Sequence, residues 1–209
     1  VQGISPNRLT TRTASTLEYA TGTLTSNVRT YSNATTYAGL DGTGVGIAVL
    51  DSGVLEHHAN LLGKDGSTQR VKKAVDFQRV GDATALGVKD WTKGIDASAG
   101  LYPGSKTMAN YEPKINSLDI CRPDLYGHGT HVASVAAGRG YYQATDSTGI
   151  APGANIYDVK VLNDIGLGTL SDTLEGMQWV IYHAREYNIR VMNLSLAADS
   201  TESYVTDPL

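Results

Sequence analysis

Two short apolar runs with an amphipathic helical pattern between them constrain this chain more than any other feature. Asn155 to Leu162 (NIYDVKVL) is mainly apolar and β-branched, and Ile189 to Leu196 reads as another buried strand. Between them, residues 169–187 carry Leu170, Leu174, Met177, Val180, Ile181 and Ala184 at intervals of three or four, the period of a helix with one buried face. Thr169 followed by Asp172 fits a capping box at its start. A strand, a crossover helix and a second strand return parallel and right-handed. Val45 to Leu50 and Arg70 to Phe77 (RVKKAVDF) add two more strands. The expected fold class is therefore α/β, a doubly wound parallel sheet with helices on both faces.

A chain of 209 residues, 41% hydrophobic and 18% charged, can bury one real core and is not disordered. A formal charge of −4 argues against a nucleic-acid partner, and no apolar run approaches membrane-spanning length. Cys121 is the single cysteine, so no internal disulfide can form. No signal peptide is visible and the first residue is valine, which reads as a processed piece of a longer precursor. Residues 1–36, rich in Thr, Ser and Asn, read as an extended surface arm. Two sequons begin at Asn33 and Asn193, the second expected to be buried. The glycines from Gly42 to Gly46 precede a strand instead of following one, so they form a turn and not a phosphate cradle.

Chemistry gathers at two motifs. The apolar run Val45 to Leu50 ends in Asp51, then turns at Ser52-Gly53, and catalytic groups collect at the carboxyl ends of parallel strands. Gly127-His128-Gly129-Thr130-His131-Val132-Ala133-Ser134 puts a histidine between two glycines, ahead of small residues at helical spacing. His128 then falls near the start of a tightly packed helix. A strand-end carboxylate and a helix-opening imidazole read together as two members of a hydrolytic triad.

These residues resemble the aspartate and histidine motifs of the subtilisin-like serine proteases. Gly149-Ile150-Ala151-Pro152-Gly153-Ala154 resembles that family's segment before the next strand, and Val191-Met192-Asn193-Leu194-Ser195-Leu196 its substrate-binding strand. The likeness runs from about residue 37 to the end, apart from a divergent, loop-rich stretch near 63–125. It implies a secreted endopeptidase in which Asp51 orients His128 and His128 moves the proton. It also implies that Gly166-Leu167-Gly168 and Ser195-Leu196-Ala197 flank an extended peptide, which is held as an added strand. Leu170 would wall a distal side-chain pocket, Leu162 would contact the substrate, Ala197 would crowd the floor of the primary pocket, and Asp124 would lie near the cleft and bias specificity. No cofactor is needed for this chemistry. A structural calcium is the one metal the family suggests, where His58-Ala59-Asn60 replaces histidine, proline and aspartate; asparagine keeps an oxygen but loses the charge.

The family's nucleophilic serine motif (Gly-Thr-Ser-Met-Ala-like) and its oxyanion asparagine are not found in these 209 residues. Only thirteen residues follow Leu196, so the sheet would keep a bare face and an open edge. The expectation is a two-chain protease whose partner is the C-terminal fragment of the same precursor, acting on peptide or protein substrates. Val1 to Arg8 resembles a propeptide junction, so a propeptide inhibitor is another expected partner. Two other readings stay open: a non-catalytic, protease-like binding module, and a metal-dependent hydrolase using Asp124, His128 and His131.

Overall fold

The computed structural model of the chain describes residues 16–31, 37–78, 112–113, 115–117, 124–140 and 148–197. Cys121, Asn33, residues 79–111 and the last residues of the sequence lie outside the described residues.

Four parallel strands form the central sheet: β3 (Gly46–Asp51), β4 (Val71–Asp76), β5 (Asn155–Lys160) and β6 (Ile189–Leu194), in the order β4-β5-β3-β6. Asp51 pairs with Lys160 on one side, and its neighbour Leu50 pairs with Leu194 on the other. Every residue of β3 is buried, because a parallel strand at the middle of a sheet is covered on both faces. Its side chains alternate between two cores. Ile47 and Val49 join Val54, Leu61, Val71, Ala133, Ala137 and Ile156 on one face. Ala48 and Leu50 join Val75, Phe77, Tyr157, Val159, Val161, Trp179 and Val180 on the other.

Among the described residues one helix covers each face. Helix α2 (His128–Ala137) supplies Ala133 and Ala137 to the first core, and α3 (Leu170–His183) supplies Trp179 and Val180 to the second. These layers are the doubly wound arrangement read from the sequence. Strands β4, β5 and β6 are each two residues shorter than the runs that predicted them, while β3 keeps its six residues shifted by one. Past Lys160, the N–H groups of Val161 and Leu162 both donate to the Asp51 carbonyl, at 2.9 and 3.1 Å, at the carboxyl end of β3.

Two sequence expectations need correction. The helix 169–187 ends at His183, and Ile181, counted on its buried stripe, is 68% exposed. The face that meets the sheet carries Thr173, Gly176, Trp179 and Val180. A Cβ at Gly176 would come within 2.9 Å of Val161 Cγ1 and 3.0 Å of Val159 Cγ1. The helix lies this close to the sheet because the contact residue lacks a side chain. Nor is the described part of 1–36 an extended surface arm. It holds a short helix α1 (Thr16–Ala20) and β1 (Arg29–Tyr31), which pairs antiparallel with β2 (Tyr37–Gly39). Glu18 and Arg29 are buried as an ion pair, and Arg29 Nη1 donates to the Ile150 carbonyl at 2.9 Å. A buried guanidinium needs a carboxylate and carbonyls around it, which fixes this segment against the body of the domain.

Candidate active site

The carboxyl end of β3 and the start of α2 bring Asp51 and His128 together. Asp51 is fully buried, and its Oδ1 accepts the Ser52 N–H at 2.7 Å. His128 Nδ1 lies 2.8 Å from Oδ1 and 2.9 Å from Oδ2 of the same carboxylate. The imidazole is 39% exposed, so one ring nitrogen is held by a dry carboxylate while the ring reaches solvent. Helix α2 approaches closely enough for this only because residue 129 is glycine: a Cβ there would stand 2.1 Å from the Gly53 carbonyl oxygen. Gly127, at φ +83°, makes the left-handed bend that turns the chain into the helix. A carboxylate on Nδ1 fixes the tautomer and leaves Nε2 to take a proton from a hydroxyl and return it to a leaving group.

Beside the pair lies an open groove lined by Leu162, Gly166, Leu167, Gly168, Leu170, Ser195, Leu196 and Ala197 with His128. Tyr126, Thr169 and Thr173 complete the lining, and none of them was expected in the sequence as a site residue. One rim is the turn 163–168. Asn163 Oδ1 accepts the N–H groups of Ile165 and Leu167 at 3.0 Å each, Gly166 has φ +79°, and a bridge pairs Leu162 with Gly168. A Cβ on Gly166 would meet the Tyr126 ring at 2.6 Å, so the turn packs against an aromatic two residues before His128. The only signal for Tyr126 was its place between Asp124 and His128. The other rim continues β6, where Asn193 Nδ2 donates to Ser195 Oγ at 2.9 Å; Asn193 is half-buried, not buried as its sequon suggested.

Asp124 is not part of this lining. Its Oδ1 accepts the Ser52 hydroxyl at 2.9 Å and the Gly127 N–H at 2.8 Å, and its Oδ2 accepts the Thr130 N–H and hydroxyl at 2.8 and 2.7 Å. Burial works against the charge, but the bonds from Thr130, Gly127 and Ser52 outweigh it and hold the carboxyl below its usual value. Beneath the same loop, Asp158 on β5 is buried and accepts the Val54 N–H with Oδ2 at 3.0 Å. Burial pushes its carboxyl well above the ordinary range; the Val54 N–H and Lys160 oppose this, while Glu56 and Asp124 reinforce it.

The residues of the metal-dependent reading, Asp124, His128 and His131, do not converge on one site, since Asp124 is bound to Thr130 and His128 to Asp51. His58 Nδ1 accepts the Asn60 N–H, His57 lies against Gln69, and His131 is exposed on α2. Among the described residues no group of three His, Cys, Asp or Glu could hold a metal ion. At Asn60 the backbone carbonyl accepts from the Arg139 N–H at 2.9 Å and from Arg70 Nη2 at 2.8 Å.

The model of the subtilase family matches residues 42–208. The chain belongs to the subtilase family. A subtilisin-like protease of Coccidioides posadasii is 37% identical over 114 residues, covering 53% of this chain and 26% of that protein. The serine protease AprX of Bacillus subtilis is 42% identical over 80 residues, covering 37% and 18%. Among solved structures, sphericase matches at TM-score 0.51 and 25% identity, over 82% of this chain and 43% of that one. The CspB protease of Clostridium perfringens, at TM-score 0.52 and 21% identity, covers 77% and 31% and shows the fold alone. This subtilase thus spans 26%, 25% and 32% of the lengths of three curated relatives it matches.

Proposed function

We propose that this subtilase segment is the Asp–His half of a serine endopeptidase site, completed by a C-terminal polypeptide of the same precursor that carries the serine and the oxyanion asparagine. The observation that carries the reading is the Asp51–His128 pair, with Nδ1 2.8 Å from a fully buried carboxylate, opening onto a groove with two backbone rims. A peptide lying extended between residues 166–168 and 195–197 would gain main-chain hydrogen bonds whatever its sequence. His128 would take the proton of the serine as it attacks the scissile carbonyl, then pass it to the departing amine. Asp51 would hold the ring and stabilise the imidazolium.

The exposed edge of the sheet supports the need for a partner. β6 is the edge strand beside β3, and its Val191 is 51% exposed. A propeptide occupying the groove is the expected inhibitor, and the chemistry uses no cofactor. An extracellular location follows from the family likeness; no helix among the described residues is long and apolar enough to cross a membrane.

The test is peptide hydrolysis by the assembled protein with and without His128→Ala. Turnover is expected to fall by about 10⁶-fold, the loss the same change causes in subtilisin, with both polypeptides still folded. Retained turnover would remove His128 from the mechanism. A folded, assembled wild type without turnover would favour the binding-module reading.

A further inference from the structure

The geometry points to Asp124 as a positioning residue that holds His128 on Asp51, and not as a determinant of substrate charge. The proposal rests on the serine peptidase reading for its catalytic arm, but its structural arm concerns the Asp51–His128 contact itself.

Helix α2 begins without a cap of its own. Gly127 stands at the cap position with no side chain to accept the N–H groups of the first turn. Asp124 supplies that acceptor from outside, taking the Thr130 N–H at 2.8 Å and the Gly127 N–H at 2.8 Å. A carboxylate here also faces the positive end of the helix dipole. The same side chain reaches across to the strand that carries Asp51. It accepts the Ser52 hydroxyl at 2.9 Å, while Ser52 Oγ accepts the Gly129 N–H at 3.1 Å and the Ser52 N–H binds Asp51 Oδ1 at 2.7 Å. Thr130 Oγ1 adds a second tie by accepting the Leu55 N–H at 2.9 Å.

Asp51 and His128 belong to elements 77 residues apart in sequence, and each is flanked by a group bonded to Asp124 or to its partner Ser52. Four donors saturate the carboxylate. A side chain so committed has no oxygen in reserve for a substrate cation, and it is absent from the groove lining. Its electrostatic effect on substrate is therefore secondary to its hold on the two loops.

The test uses the assembled protein with Asp124→Ala, Asp124→Asn and Ser52→Ala. Proton NMR of the His128 Nδ1–H, far downfield when bound to a carboxylate, is read beside kcat and KM on peptides with basic and neutral side chains. Asp124→Ala is expected to weaken or abolish that resonance and to lower kcat about 100-fold, with KM within about threefold for every peptide. Asparagine keeps one accepting oxygen but turns an NH2 toward the N–H group at the other, so Asp124→Asn should recover kcat only part of the way to wild type. Ser52→Ala should fall between the two.

An unchanged resonance and kcat in Asp124→Ala, or an effect confined to KM for basic peptides, would overturn the proposal in favour of a specificity role. If Asp124→Ala does not fold, Asp124→Asn and Ser52→Ala decide by the same readouts. If the wild type has no turnover, the resonance alone decides: its loss in the variants upholds the positioning role while the peptidase reading fails.

Discussion

Asp158 is the residue with the largest hidden consequence. It sits within an apolar run, and nothing in NIYDVKVL distinguished it from a polar interruption of a strand. The fold turns it inward under the loop that follows Asp51, where burial raises its pKa. An acid whose folded pKa lies above its unfolded value, near 3.9, binds its proton more tightly in the folded state. Stability is then fully retained below the unfolded value and is lost as pH rises through the window up to the folded one. Asp158→Asn, which cannot ionise, should unfold at a temperature that gains on wild type as pH goes from 5 to 8; thermal denaturation at the two values measures this, and parallel curves would contradict it. Asp51 gives the opposite case: its place beside His128 was legible because a carboxylate closed an apolar strand ahead of a Gly-His-Gly motif. Asp51→Asn keeps the shape but presents the wrong hydrogen-bonding pattern to Nδ1, and should lower kcat about 10⁴-fold in an otherwise folded protein. Tyr126 was illegible, since an aromatic acquires meaning there only once the turn at Gly166 packs on it.

Among the elements, the parallel strands were the easiest to read. Burial on both faces leaves continuous apolar runs, and the runs 45–50 and 189–196 each contain most of an observed strand. The register of α3 was harder. Its contact face is built on Gly176, Thr173 and Trp179, so counting large apolar residues rotated the expected stripe toward Ile181. The cap was read correctly in part: Thr169 Oγ1 accepts the Asp172 N–H at 3.2 Å. Thr169→Ala should cost about 1 kcal/mol in urea denaturation. The close approach of α2 to the Asp51 loop makes a sharper prediction. With 2.1 Å to the Gly53 carbonyl, Gly129→Ala leaves no room for a methyl without moving backbone. Its cost should be about 1–3 kcal/mol or more, together with loss of turnover. A variant as stable and active as wild type would mean that the helix stands farther out.

At the scale of the whole molecule, three buried arginines tie the loops to the sheet through carbonyl oxygens: Arg29 to Ile150, Arg139 to Pro152, and Arg70 to four partners. Arg70 donates to the carbonyls of Leu62, Ala154, Asn60 and Ala137 at 3.0, 2.9, 2.8 and 2.7 Å, joining the 3-10 turn, the start of β5 and the end of α2. Composition could not reveal this, because a surface arginine and a buried one look alike in sequence. Arg70→Lys keeps the charge but loses the planar fork, and should destabilise by about 2 kcal/mol or more in urea denaturation, independently of added calcium. Beyond the tied loops, β6 is an edge strand next to the groove among the described residues, and the family's nucleophilic serine motif does not occur within these 209 residues. The central proposal is that the pair serves a serine outside them. Labelling the native, inhibitor-free protein with a fluorophosphonate and separating it on a denaturing gel tests this most directly. The account predicts label on a serine outside these 209 residues, located by peptide mapping, with labelling lost in His128→Ala. Label on a serine within these 209 residues, or none anywhere in a folded and assembled sample, would contradict it.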